Sequence, residues 1–323
     1  MKTIPVVICV DVEPLEREID IAGSKDWEGF EETALLLNAM RAGLQAATGA
    51  PVHYSWFLRM DPQVAHTFGT ASWVTQRYAD TIAQLEHAGD EIGLHTHAWR
   101  WDRAAHRWIV DHGDQRWVDH CIESSFEAYQ RAFGRSCHAF RFGDHWMNDH
   151  TMGLLESLGV QFDLTIEPGI KAKPGLVVEE AHTGSLPDYT TTPRWPYRPS
   201  VKDFRKQAFA QRRKLWTVPL STARRGRFPA LKRAALALGL DLHKRHEPTP
   251  LYLGHEKQTF EAMADNLLSV WRKPYLAPVT RSDCCFDARG KANMEQNLTF
   301  LMVHPKIDKF EFVTPGRAVK LLS

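Results

Sequence analysis

Residues 4–10 form an unbroken apolar run, rich in β-branched side chains, that stops abruptly at Asp11 and Glu13. A run of this kind reads as a strand covered on both faces, because a helix-covered parallel sheet has no solvent side for alternating polar residues. The pattern then returns along the chain. Residues 52–58 end at Arg59 and Asp61, 91–94 run into His95, 137–140 stop at Arg141, and 275–280 reach Arg281; further strands are expected at 160–164, 215–220 and 309–313. Helical spacing fills the intervals, first at 30–47, where Ala34, Leu37, Met40 and Leu44 share a face and Gly49-Ala50-Pro51 closes the element. Helices are likewise expected at 74–87, 124–133, 151–158 and 256–271. Strands alternating with helices build a parallel sheet or barrel.

In a parallel β/α barrel the loops after the strands share one face, so residues just beyond strand ends meet in space although they are far apart in sequence. Those residues here are Asp11 and Glu13, Arg59 and Asp61, His95 and His97, Arg141 with Asp144 and His145, and Arg281 with Asp283. Carboxylates and imidazoles gathered in one mouth suit a divalent cation, zinc or another first-row metal. The plainer alternatives are helix capping or surface ion pairing for Asp11 and Glu13, and satisfied structural imidazoles for His95 and His97. Trp99, Trp101 and Trp146 would form an aromatic stacking wall at such a mouth, or simply pack.

Bulk properties narrow the class. A chain of 323 residues, 43% hydrophobic and 24% charged, can bury a large α/β core and is neither disordered nor fibrous. Residues 1–323 are read as a single domain carrying a basic insertion at about 167–250. A net charge of +1 argues against a general polyanion binder, although fourteen Lys or Arg face three Asp or Glu between Arg198 and Glu247. That stretch reads as a solvated face, with contact to an anionic glycan or a membrane surface as the alternative; no nucleic-acid module accompanies it. Five cysteines, with Cys284 and Cys285 adjacent, make no disulfide framework, and the N-terminal apolar run is too short for a signal segment. A cytoplasmic protein with reduced thiols is expected.

Three segments carry a family resemblance. Cys9-Val10-Asp11-Val12-Glu13, Glu91-Ile92-Gly93-Leu94-His95-Thr96-His97 and Phe140-Arg141-Phe142-Gly143-Asp144-His145-Trp146 resemble the first three motifs of the polysaccharide-deacetylase (NodB-homology, carbohydrate esterase 4) superfamily. The resemblance covers most of the chain and implies a distorted (β/α)7-type barrel, a variant of the TIM barrel. It also implies Asp11 as general base, Arg141 as the residue that holds it, and a metal on the second-motif histidines. Val12 stands where the family has its second Asp and Trp99 where it has its second His, so Glu13 and His97 are the expected replacements as ligands beside His95. The family's Leu-His pair, which supplies the general acid, has a superficial match in Met302-Val303-His304. Helical spacing of Met294, Leu298, Leu301 and Met302 nevertheless puts His304 at a helix end, and the expected proton donor is then His145, a water, or Asp11 itself once it has taken a proton.

The resulting expectation is a metal-dependent hydrolase that removes an N-acyl group from a sugar or polysaccharide precursor, with Arg59, Asp61, Trp99, Asp144, Arg281 and Asp283 contacting substrate. A metal-independent amide hydrolase on the same fold is the first alternative. A non-catalytic carbohydrate-binding or assembly protein of surface-polysaccharide synthesis is the second.

Overall fold

A computed structural model describes residues 3–17, 19, 27, 29–177, 179–225, 247–269 and 274–323. Its strands are β1 (Ile4–Val6), β2 (Cys9–Val12), β3 (Ser55–Arg59), β4 (Glu91–Thr96), β5 (Trp99–Asp102), β6 (Arg107–Asp111), β7 (Ala139–Phe142), β8 (Phe162–Asp163), β9 (His182–Thr183), β10 (Trp216–Thr217), β11 (Thr222–Ala223), β12 (Thr249–Pro250), β13 (Val279–Arg281) and β14 (Phe310–Phe312). Its helices are α1 (Gly29–Thr48), α2 (Pro62–Phe68), α3 (Trp73–Arg77), α4 (Ala79–His87), α5 (Gln115–Phe133), α6 (Asp149–Ser157), α7 (Lys257–Ser269), α8 (Ala288–Met302) and α9 (Pro315–Leu322).

Seven strands form one parallel sheet in the order β10-β8-β7-β4-β3-β2-β13. The sheet curls until its edges are tied. Ser221, just past β10, donates from its backbone N to Ala277 O at 3.0 Å, and the chain after β12 exchanges bonds with β13, Leu253 N to Val279 O at 2.9 Å and Val279 N to Leu251 O at 3.0 Å. The chain therefore forms a distorted (β/α)7 barrel, as the strand pattern predicts.

Period-two alternation divides the core. Val10, Val12, Trp56, Leu58 and Leu94 point outward beneath the helices, while Val7, Cys9, Phe57, Ala139 and Leu164 belong to a separate apolar cluster within the curl of the sheet. One step of two along each strand changes this inward face from apolar to polar: Cys9 gives way to Asp11, Phe57 to Arg59, and Ala139 to Arg141. The polar mouth is the continuation of the barrel's own interior row.

The elements differ from expectation where local chemistry decided. The helix expected at 74–87 is two helices, α3 and α4, divided at Tyr78, whose φ of −120° and ψ of 35° interrupt the ladder while its ring packs edge-on against Phe30. The helix expected from residue 124 begins at Gln115, because Asp114 caps it by accepting from Arg116 N and Trp117 N. The β5–β6 hairpin was not anticipated; Trp99 opposes Val110 and Trp101 opposes Trp108 across it. Of the basic insertion expected at about 167–250, residues 178 and 226–246 lie outside the described residues, as do residues 270 and 271 of the expected helix 256–271. Among the described cations of that segment, Arg205 and Lys206 pair with Asp203, and Arg213 pairs with Glu156. All five cysteines are buried and unpaired. No helix among the described residues is long and apolar enough to cross a membrane.

Candidate active site

Register aligns the polar residues into two rows. Arg281, Asp11, Phe57 and Gly93 are successive cross-strand neighbours, and two residues further on lie Arg59, His95 and Arg141, with Glu13 just past the end of β2. Gly93 is required by close approach: a Cβ there would lie 2.5 Å from Ala139 O and 2.9 Å from the Phe57 ring.

Glu13, His95 and His97 bring one ligand atom each to within 4.8 Å of one another, and all three are buried. Glu13 Oε2 lies 3.3 Å from His97 Nε2 and 3.8 Å from His95 Nε2, and the two Nε2 atoms are 3.0 Å apart. His95 Nδ1 faces the Arg141 carbonyl at 3.0 Å, which fixes the proton on Nδ1 and leaves the Nε2 lone pair directed at Glu13 and His97. His97 Nδ1 faces Asp144 Oδ2 at 3.3 Å, the carboxylate-behind-imidazole arrangement that orients metal-binding histidines. Gly143 leaves room for the His97 ring, which occupies the place a Cβ would take.

Charge is distributed unevenly over this cluster. Burial favours the neutral form of Glu13, but Arg281, with Nε 3.1 Å from Oε1, and the two imidazoles outweigh it and hold the carboxyl well below its usual range. Burial pushes His95 down to about 4. Burial and Arg59 also oppose charge on His97, yet Asp144 and Glu13 overcome them and raise it. Asp144, buried but paired with Arg17 and His97, is held well below the usual carboxylate range.

Beside the three ligand atoms sits Asp11. Arg141 Nε donates to both its oxygens at 2.9 Å, while Arg141 Nη1 donates to Leu164 O at 2.9 Å. Glu167, fully buried, reaches Arg141 Nη2 at 3.4 Å and lies 2.6 Å from His145 Nδ1. Asp144 and His145 both adopt left-handed backbone, φ 56° and 57°. Such strain in non-glycine residues is held only where surrounding structure enforces it, and it gathers at functional sites.

Asp11, Glu13, His95, His97, Arg141, Asp144, His145 and Arg281 thus line a single cavity of about 250 Å³. Arg59, Asp61 and Trp99 do not line it. Asp61 caps α2 through Gln63 N at 3.0 Å and spends its other oxygen on Arg59 Nε at 2.7 Å and His97 N at 3.1 Å, so it fastens the histidine from behind. Arg59 is wholly enclosed between Asp61 and Gln63, and Trp99 packs with Trp108 under the hairpin. Asp283 borders a neighbouring cavity. His304 follows α8, stacks on Phe310 and approaches Asp265, away from the mouth.

Arg17, Glu167, Tyr252 and His255 also line the cavity and escaped the sequence reading. The signal for His255 was present in Leu251-Tyr252-Leu253-Gly254, an apolar stretch that ends on a histidine, but Pro248 and Pro250 disguise it as a loop. Arg17 and Glu167 sit in irregular chain with no periodicity to mark them.

No protein-family model matches the chain, and no curated protein matches it. Solved structures do. A Mycobacterium smegmatis protein assigned as a polysaccharide deacetylase matches with a TM-score of 0.56 at 14% identity, over 99% of this chain and 90% of that one. The chain has the polysaccharide-deacetylase fold. A second structure with this fold, a Parabacteroides distasonis protein assigned as a glycoside hydrolase/deacetylase, matches with a TM-score of 0.57 at 12% identity, over 99% of this chain and 71% of that one. Puue allantoinase matches with a TM-score of 0.53 at 11% identity, over 98% and 89%. At such identities the deacetylase fold is what is shared, and chemistry has to be argued from the site.

Proposed function

We propose that the chain is a metal-dependent hydrolase that removes an N-acyl group from a sugar or polysaccharide precursor. The observation that carries this reading is the convergence of Glu13 Oε2, His95 Nε2 and His97 Nε2 beside an aspartate that one arginine grips by both oxygens. The donor set fits a divalent cation such as zinc: two neutral-capable imidazoles with outward proton partners and one ionised carboxylate, too few to close a tetrahedral site. A cation bound there supplies positive charge that polarises the acyl carbonyl and acidifies water.

This chain's own residues do the rest. Asp11 accepts the proton of the attacking water, and Arg141 keeps its carboxylate aimed by a charge-assisted contact. The leaving nitrogen then needs a proton. His145 and His255 are the imidazoles on the cavity outside the ligand pair; His145, with Glu167 2.6 Å from Nδ1, is the one assigned to deliver the proton. Protein stripped with a chelator and reloaded with zinc should lose and then regain acetate or formate release from N-acylated sugars. A loaded protein that releases neither from any such sugar contradicts the reading.

One observation favours a metal-independent amide hydrolase. His97 already lies between two carboxylates, 3.3 Å from Glu13 and 3.3 Å from Asp144, so the ion network closes by itself. Release that survives chelation with no bound metal would select this second reading.

A further inference from the structure

The basic segment read from the sequence supplies nothing to the catalytic cavity, since no residue between 194 and 214 lines it. Over those positions eight Lys or Arg face a single acid, Asp203. Among the described residues, Arg205 and Lys206 pair with that acid and Arg213 with Glu156, whereas Arg194, Arg198, Lys202, Arg212 and Lys214 have no carboxylate partner. Five uncompensated cations on one stretch make a local positive surface in a chain of net charge +1.

The segment is tied down. Ser200 N donates to Lys206 O at 2.9 Å, Val201 N to Gln211 O at 3.0 Å and Arg213 N to Pro199 O at 2.8 Å, so the chain folds back on itself. Two buried rings pin it from below: the Tyr197 hydroxyl donates to Phe204 O at 2.8 Å, and Phe204 N donates to Asp149 Oδ1 at 2.7 Å. On this frame Phe209 stands 85% exposed, in company with exposed Val201 and Trp195. Single apolar residues on a surface need no explanation, but three of them interleaved with unpaired cations mark an interaction site.

A cavity of about 630 Å³ lies beside them. Trp195 and Gln207 line it together with Leu220, Leu267, Val319 and Leu322, and Arg194 stands on its wall with Nη1 held by Thr222 O at 2.8 Å. An aliphatic floor with a cation on the wall fits a lipid, hydrocarbon against the floor and an acidic head against the guanidinium. A single-stranded nucleic acid also answers cations and an aromatic ring, but it offers no hydrocarbon to Val201 or to the aliphatic cavity. An anionic bilayer answers all of these features: headgroups meet the cations, and the apolar side chains enter the acyl boundary.

We infer that the segment 194–214 is a docking surface for an anionic lipid bilayer, with Phe209 as its anchor. The inference is independent of the hydrolase reading.

The test is co-sedimentation of the full chain with vesicles of phosphatidylcholine alone and of phosphatidylcholine mixed equally with phosphatidylglycerol. The chain should pellet with the mixed vesicles, stay in solution with the neutral ones, and detach as salt is raised. Phe209→Ser should weaken binding about tenfold. Lys202→Gln and Arg212→Gln, both at exposed positions, should weaken it about fivefold each, with circular dichroism unchanged in all three variants. Leu35→Ser, at an exposed apolar position on α1, should have no effect. No binding to the mixed vesicles, equal binding to both kinds, or a Leu35→Ser loss as large as that of Phe209→Ser overturns the docking surface. Wild-type binding by Phe209→Ser reduces the segment to a general polyanion site and overturns it as well, as would a single-stranded oligonucleotide bound more tightly than the mixed vesicles.

Discussion

His95 and His97 are two residues apart on one face, yet their surroundings assign them opposite proton states. Burial keeps His95 neutral down to about pH 4, whereas the carboxylates of Asp144 and Glu13 raise His97 above the ordinary histidine value. A cation must displace the proton on His97, so binding near pH 6.5 should release about one proton, and affinity should fall as pH is lowered. Zinc titration in buffers of different ionisation enthalpy measures this; zero release would contradict the assigned states. Arg141→Lys keeps the charge but loses the planar fork on Asp11, Leu164 and Glu167, and should lower kcat about 100-fold or more with the fold retained by circular dichroism. Asp163 gives a separate reading of the interior. It is fully buried, its Oδ1 accepts from Thr165, its Oδ2 has no partner, and burial raises its pKa to about 7. A carboxyl raised in the folded state contributes stability that is complete below its unfolded pKa of about 3.9 and is lost as pH rises toward 7. Relative to wild type, Asp163→Asn should therefore gain melting temperature between pH 4 and pH 7, and a difference that is flat with pH would refute the assignment.

The strands of the sheet were legible because each is a buried run ended by a charge, and the two-residue period alone aligns Asp11 with Glu13 and His95 with His97. What stayed hidden depended on single local bonds. α2 is seven residues long and exists because Asp61 caps it and Pro62 opens it, while Arg59 and His97 share the same carboxylate. Asp61 looked like a substrate contact because position past a strand end does not reveal which way a side chain turns. Its removal tests the placement: Asp61→Ala takes from buried Arg59 its nearest carboxylate, leaving it Gln63 and, at 3.9 Å, Glu13, and should cost about 3–5 kcal/mol in denaturant unfolding, far above a loss at an exposed substrate contact. Gly93 makes a similar point. Gly93→Ala would press a methyl against Ala139 O and Phe57 and should cost about 1–3 kcal/mol, with the β4–β7 pairing displaced next to His95.

Across the whole molecule, alternation of strands and helices was enough to predict a barrel and to place its polar mouth, since parallel topology puts every strand end on one side. The same logic could not find Arg17, Glu167 or His255, which come to the cavity from irregular segments whose path is set by tertiary packing. Helical spacing did set His304 aside, and the structure places it just after α8, stacked on Phe310. Metal-dependent hydrolysis at this site requires that three side chains from two strand ends share a single ion. Direct zinc titration of the metal-stripped full chain, alongside Glu13→Ala, His95→Ala and His97→Ala, measures it. One tight site in wild type, abolished or severely weakened in each variant, is the predicted result. Undiminished zinc binding in all three variants, or none in the wild type, would contradict it.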